Sequence, residues 1–258
     1  MVNPLRIMSQ GNWADSAVVT ATSGAVSSLP ASHLLDDDIK KIWRSGGTAP
    51  SDTLIIDLAA QREIGAVALI NTNMTSGDTI YVRVSNSDPT GIAGEVYSSG
   101  TFASGVDPAY AKFVHFIEPA VFGRYIRIAM FIPDPEAGRL VVCPVWAPSR
   151  DRRPGAELLW EDPSVVSFSI GGNEFVDQRQ TRRGHRFQLK AVTELEALEQ
   201  VTELNRLRGT ARDILVCLNK DTSNFGRDTL WGRMAQPARM SQNMQNFYTV
   251  EFEVWDRN

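Results

Sequence analysis

The chain has 258 residues, 43% hydrophobic and 22% charged, and this composition excludes an intrinsically disordered protein because the apolar residues suffice for a buried core. The net charge is −4. Residues 1–150 contain 11 basic and 14 acidic side chains, and residues 151–258 contain 15 basic and 16 acidic ones. Because neither half is basic, this charge argues against a nucleic-acid coat protein. No apolar run reaches the length of a membrane span, and the first residues do not resemble a signal peptide. We therefore expect synthesis in the cytoplasm and no membrane partner.

The first half of the chain alternates short apolar runs with clusters of Gly, Pro, Ser, Asn and Asp. Six runs have the composition or alternation of strands, at residues 53–58, 66–70, 79–84, 113–116, 125–129 and 140–142. Helical periodicity is almost absent from this half. Many short strands at regular spacing predict a β-sandwich over residues 1–148.

The segment after the predicted sandwich is polar and bounded by prolines, which predicts a linker at residues 149–155. Beyond it, residues 156–258 predict an α+β domain with one helix packed on a β-sheet or split barrel. Its strand-like runs are 165–170, 186–192, 213–218 and 246–255.

The helix of this second domain is predicted from Glu194 to Arg208. Thr193 and Glu196 have the spacing of a capping box, and Gly209 is placed to end the helix. Apolar residues recur at three-residue spacing and predict the buried face; they are Leu195, Leu198, Val201, Leu204 and Leu207.

Motifs of enzymes are absent, so we expect no catalytic residue and no enzyme activity. The chain has no Gly-x-Ser-x-Gly elbow, phosphate-binding glycine loop or His-Glu-x-x-His, and His33, His115 and His185 lie far apart. We expect these histidines to be turn, strand and surface residues, respectively. Cys143 and Cys217 fit free core thiols, although the sequence leaves a bridge between them open.

Three consecutive carboxylates, Asp36, Asp37 and Asp38, form the most prominent acidic run. Calcium binds carboxylate and carbonyl oxygens in such loops, so this run is the candidate metal site and calcium the only cofactor considered. The alternative, which we favour, is a solvated turn beside a short helical segment.

Two stretches are rich in arginine, and the chain has 21 Arg against 5 Lys. Arginine suits bidentate contacts to carboxylates at protein interfaces, and we favour this use over phosphate binding. The interface candidates are Arg152, Arg153, Arg179, Arg182 and Arg183. Residues 171–173 and 242–246 look like hairpin tips that reach a neighbouring molecule, or equally like solvated turns.

Aromatic residues in predicted loops are candidates for stacking on a sugar ring. They are Trp13, Tyr97 and Tyr110. Packing in the core or at its rim is the alternative that we favour for each of them.

The first half resembles the discoidin family, the coagulation factor 5/8 type C group of galactose-binding-like β-sandwiches. The similarity lies in the order and spacing of residues 29–38 (LPASHLLDDD), 42–45 (IWRS), 52–58, 64–70, 81–87 and 124–128. It implies that Trp43 packs near the base of the sandwich, and it raises the odds of calcium at the acidic turn. Loops at one end of the family's sandwich bind ligands, but no binding residue carries over to this chain.

The second half is similar in its arrangement of elements to small domains of tailed-bacteriophage tube and distal-tail proteins, which form rings. The similarity rests on residues 186–192, 194–208, 213–219 and the last strand. It implies a structural virion protein at the tail tip or baseplate, made in the host cytoplasm. Such a protein forms a trimeric or hexameric ring and contacts tube and hub proteins.

Three functions follow from these patterns. The leading hypothesis is the tail-tip structural component, and the alternative is a non-catalytic carbohydrate-binding module that attaches to host glycans. A polysaccharide hydrolase ranks third, because it needs two facing carboxylates that a sequence does not reveal.

Overall fold

The computed structural model describes residues 3–47, 51–150, 152, 155–222 and 225–257. The chain divides into two compact units. The sandwich unit consists of the described residues within Met8–Trp146 and Leu218–Thr229. The C-terminal unit consists of those within Met1–Ile7, Ala147–Cys217 and Leu230–Asn258.

The fold is mainly β, as predicted. The strands are β1 Arg6–Met8, β2 Val18–Ala21, β3 Trp43–Arg44, β4 Asp52–Ile70, β5 Thr79–Ser85, β6 Tyr97–Ser98, β7 Phe102–Ala103, β8 Lys112–Phe131, β9 Glu136–Ala137, β10 Arg139–Cys143, β11 Val145–Trp146, β12 Glu157–Glu161, β13 Val165–Phe168, β14 Glu174–Asp177, β15 Arg182–Thr193, β16 Ile214–Cys217, β17 Thr229–Met234, β18 Arg239–Met244 and β19 Phe247–Asp256. The helical segments are 3₁₀ turns at Trp13–Ser16 and Ala31–Leu35, α1 Glu194–Glu196, a π segment Ala197–Thr202, α2 Glu203–Leu207 and α3 Phe225–Asp228.

Two long antiparallel strands, β4 and β8, organise the sandwich unit. The first half of β4 and the second half of β8 lie between β2 on one side and β5 with the short β6 and β7 on the other. The other halves of the two strands pair with each other, and β10 pairs with β4. The result is a half-sheet of six strands, in which the short β6 and β7 share the edge beside β5, and a half-sheet of three strands.

The core of the sandwich follows from the alternation along its strands. Ile80, Val82 and Val84 of β5 are fully buried, whereas the residues between them are half-buried. They belong to one apolar cluster together with Trp43, which is fully buried as the family resemblance implied. The prediction of a β-sandwich in the first half is confirmed.

The predicted strands at 53–58 and 66–70 are one strand in the structure. The residues between them continue to pair with β8, as Arg62 does with Gly123, and two register shifts absorb the irregularity. Register shifts of this kind, as at a β-bulge, bend a strand without ending it, so polar residues between two apolar runs do not mark a turn here.

The sheet of the C-terminal unit runs in the order β1, β16, β17, β19, β15, β12, and β18 also pairs with β19. Along β19, Val250, Phe252 and Val254 are buried and their neighbours half-buried. The hairpin of β13 and β14 forms a separate two-stranded sheet.

The predicted helix is present, and its capping box between Thr193 and Glu196 is confirmed. The predicted buried face is wrong at its start, because Leu195 and Leu198 are exposed. Residues three apart drift backwards around a helix by about 60° per step, so five of them do not share one face. The wider π turn shifts the phase further, and the buried residues are Ala197, Val201, Leu204 and Arg208.

The compact units differ from the predicted ranges 1–148 and 156–258 in two segments. The start of the chain belongs to the C-terminal unit because β1 pairs with β16, with Arg6 opposite Cys217. The described residues within 218–229 belong to the sandwich unit, where Lys220 forms an ion pair with Glu118 of β8. Cys143 and Cys217 are buried, and no disulfide joins them.

Candidate functional site

A pocket of about 390 Å³ lies on the sandwich unit, and it is formed by three segments that are distant in sequence. The first is the end of β7 with the residues after it, Phe102–Gly105. The second is the start of β8, which contributes Val114, His115, Phe116 and Glu118, and the third contributes Lys220 and Thr222. Two aromatic rings, an imidazole, a carboxylate and an ammonium group therefore surround one space.

His115 is held in place by two aromatic side chains. Its Nε2 and the hydroxyl of Tyr97 share a hydrogen bond of 2.7 Å, and its ring centroid lies 4.8 Å from that of Phe102. Burial lowers the pKa of His115 to about 4, because the charged imidazolium would lose its hydration. Burial also raises the pKa of Tyr97. Both groups are therefore neutral at pH 7.

Lys220 supplies the positive charge of the pocket. Its Nζ lies 3.2 Å from a carboxylate oxygen of Glu118 and 3.2 Å from one of Asp221. Burial favours the neutral amine, but hydrogen bonds to Asp221 and Glu118 outweigh it, so the pKa of Lys220 is raised. The pocket thus contains the ammonium group of Lys220 beside the carboxylate of Glu118, which is partly exposed.

This set of groups is suited to binding a polyhydroxylated ligand. Aromatic rings contact the apolar face of a pyranose, and charged groups form stronger hydrogen bonds to hydroxyls than neutral groups do. Among the described residues that line the pocket, Glu118 is the only carboxylate. Glycoside hydrolysis generally uses two.

The three candidate metal ligands do not converge. Asp36 accepts a hydrogen bond of 2.7 Å from Lys41, Asp37 contacts Arg139 at 3.2 Å, and Asp38 accepts from the backbone of Lys40. The hydrogen bond from Lys41 lowers the pKa of Asp36. No group of three or more His, Cys, Asp or Glu side chains with the geometry of a metal site occurs within the described residues.

The three sugar-stacking candidates lie in different places. Trp13 is partly buried against the core, and the guanidinium of Arg62 lies 4.9 Å from the centre of its ring. Tyr110 packs beside Gly226. Only Tyr97 adjoins the pocket, through its hydrogen bond to His115.

Most of the candidate interface arginines are paired within the chain. Arg179 binds Asp177 at 2.8 Å and Arg182 binds Glu161, both on the surface. The backbone of Arg152 forms an isolated β-bridge with that of Leu189, and Arg153 lies outside the described residues.

The prediction that Arg183 is an interface residue is wrong, because its side chain is buried and therefore unavailable to another subunit. Its guanidinium lies 2.8 Å from a carboxylate oxygen of Asp256, and both side chains are less than 5% exposed. Successive residues of a strand point to opposite faces, which separates Arg183 from the exposed Arg182.

The sequence did not identify Phe102, Glu118, Lys220 or Thr222 as members of a site. His115 was correctly placed on a strand but not in a pocket. The segments that form the pocket are up to 120 residues apart, and no local spacing links them. The paired carboxylate and lysine gave no signal because each is an ordinary surface residue type.

No helix in the described part of the chain is long and apolar enough to cross a membrane.

No protein-family model and no curated protein matches the chain.

Solved structures similar to this chain include modules that bind carbohydrate. A chitosan-binding module from a chitosanase/glucanase of Paenibacillus sp. IK-5 is 20% identical, covers 52% of this chain and is itself covered completely, with a TM-score of 0.41. A Streptococcus pneumoniae fucose binding module is 12% identical, and the match covers 52% of this chain and 95% of the module, with a TM-score of 0.40. A Ruminococcus gnavus GH29 fucosidase is 15% identical, with a TM-score of 0.41. That match covers 52% of this chain and 26% of the enzyme, about a quarter of its length.

Proposed function

We propose that the sandwich unit binds a surface glycan without modifying it. The observation that carries this proposal is the pocket in which Phe102 and Phe116 lie near His115 and the Lys220–Glu118 pair. Its volume of about 390 Å³ falls within the range of small-molecule sites. A single sugar unit at the end of a glycan chain fits these dimensions.

The class of ligand follows from the charges at the pocket. The ammonium of Lys220 is already opposed by Glu118 and Asp221, so the pocket has no uncompensated positive charge for an acidic sugar. A neutral sugar donates hydroxyl hydrogens to Glu118 and accepts from Lys220. We therefore propose a neutral hexose or deoxyhexose as the ligand.

The test is binding of the full chain to an array of neutral and acidic glycans, followed by titration calorimetry with the best neutral sugar. Glu118→Gln should weaken that binding about tenfold or more, because a hydrogen bond to a charged group contributes roughly 1.5–3 kcal/mol. The matched control is Asp221→Asn, which also contacts Lys220 but does not line the pocket. It should change the affinity less than twofold.

Two outcomes contradict this proposal. Absence of binding across the array argues against a glycan ligand altogether. Binding that Glu118→Gln leaves unchanged places the sugar elsewhere on the protein.

We propose, as a second function compatible with the first, that the C-terminal unit joins copies of the chain into a ring of three or six. The setting would be the tail tip of a tailed phage, between tube and hub proteins in the virion. The supporting observation is the distribution of exposed apolar side chains. Of the seventeen large ones among the described residues, thirteen lie in the C-terminal unit. Patches of this kind mark interaction surfaces.

The mass of the purified chain in solution tests this second proposal. We expect particles of three or six times 28.5 kDa in light scattering and rings in negative-stain images. A chain that remains a monomer at every concentration up to the limit of its solubility contradicts self-assembly.

A further inference from the structure

One hairpin of the C-terminal unit has apolar side chains on both of its faces. It consists of β13, β14 and the turn between them, residues 165–177, and we call it the arm. Val166 is opposite Val176 on one face, and Val165 and Phe175 lie on the other. All four are more than half exposed, as are Phe168 at 70% and Ile170 at the tip.

The arm lacks the contacts that usually stabilise a hairpin. An isolated two-stranded hairpin is marginally stable at best in water, and independent stability requires a third strand or a packed face. The arm pairs with no further strand among the described residues. With Leu158 and Trp160 of the adjacent β12, its exposed side chains present on the order of 1,000 Å². Each partner of a stable protein interface buries about 800 Å².

A second exposed apolar patch occurs on the same unit, where the helix begins. It comprises Leu195, Leu198, Met244 and Phe247, which are 37–70% exposed, and we call it the helix-end patch. The backbone N–H of Glu194 donates to the carbonyl of Asn246, which holds the start of the helix beside the β18–β19 turn.

The arm cannot reach the helix-end patch of its own chain. The arm precedes β15 and the helix follows it, so the twelve residues of β15 separate the two by about 35–40 Å. The base of the arm is fixed by hydrogen bonds between Ser164 and Arg179. From there to the tip at Gly172 is about eight residues, or at most about 27 Å.

We infer that the arm of one copy of this chain docks on the helix-end patch of a second copy. The inference rests on the proposed self-assembly and names the two surfaces that meet. Two different patches on one subunit produce a heterologous contact, which closes into a ring when the rotation between copies permits. Each subunit then covers one arm and one helix-end patch.

Site-specific cross-linking tests this contact in the full chain. In the double variant Ile170→Cys with Leu198→Cys, both new thiols are exposed, whereas Cys143 and Cys217 are buried. A short bis-maleimide should produce a ladder of dimers, trimers and larger species on a denaturing gel. Each single variant should give dimers at most. A matched control, Ile170→Cys with Val18→Cys, places the second thiol at an equally exposed site on the sandwich and should give no ladder.

The outcomes separate this contact from self-assembly in general. Multimers in solution without the ladder overturn the docking of the arm but leave self-assembly standing, and a monomer overturns both. A cross-link within one chain also overturns the contact. As a second measurement, Phe168→Ser with Phe175→Ser should raise the concentration needed for half-assembly at least about tenfold, because aromatic side chains contribute strongly to interfaces. Both residues are exposed, so the unit should remain folded.

Discussion

Replacing Asp256 with alanine should lower the free energy of unfolding by about 3–5 kcal/mol. The substitution leaves the buried guanidinium of Arg183 without the carboxylate that lies 2.8 Å away. It also removes the acceptor for the backbone N–H of Trp231, at 3.2 Å. Urea unfolding followed by far-ultraviolet circular dichroism measures the loss.

The neighbouring arginine provides the control. Glu161→Ala removes the partner of Arg182, and both of these side chains are about half exposed. An exposed pair contributes about 1 kcal/mol or less, because water and salt screen it. Equal losses from Asp256→Ala and Glu161→Ala would contradict the distinction between a buried and an exposed pair.

Local patterns in the sequence were sufficient to predict the elements whose formation depends on residues close together in the chain. The alternation from Ile80 to Val84 predicted β5, and the spacing of Thr193 and Glu196 predicted the start of the helix. These features succeed because strand alternation and helix capping act over two to four residues. The mainly β fold follows from many such segments.

Features that depend on distant contacts were not predictable. The pocket requires Phe102–Gly105, four residues of β8, and Lys220 with Thr222, which come from beyond most of the C-terminal unit's sequence. The strand-like run at 165–170 was recognised, but nothing in its composition shows that it pairs only with β14. Likewise, whether Arg182 or Arg183 is buried depends on which face of β15 packs against the rest of the unit.

Replacing Trp43 with alanine should also cost about 3–5 kcal/mol of unfolding free energy, here in the sandwich unit. Trp43 is fully buried, and its removal leaves a cavity in the core that surrounding side chains fill only in part. Hydrogen exchange at the backbone of β8 and circular dichroism in urea report the loss.

Two tryptophan substitutions make this expectation specific. Trp43→Phe should cost less, because it keeps most of the apolar volume and removes an indole N–H that has no hydrogen-bond partner among the described residues. Trp13→Ala should also cost less, because Trp13 is only partly buried. A larger loss for Trp13→Ala than for Trp43→Ala would contradict the central position of Trp43.

The same substitutions connect the core with the proposed glycan site. Phe113 and Ile117 belong to the apolar cluster of Trp43, and they flank His115 along β8. A core that is loosened by Trp43→Ala holds this strand less firmly, so sugar binding should weaken together with stability. Trp43→Phe should retain both, whereas Glu118→Gln should lose binding and keep stability, because Glu118 is an exposed side chain.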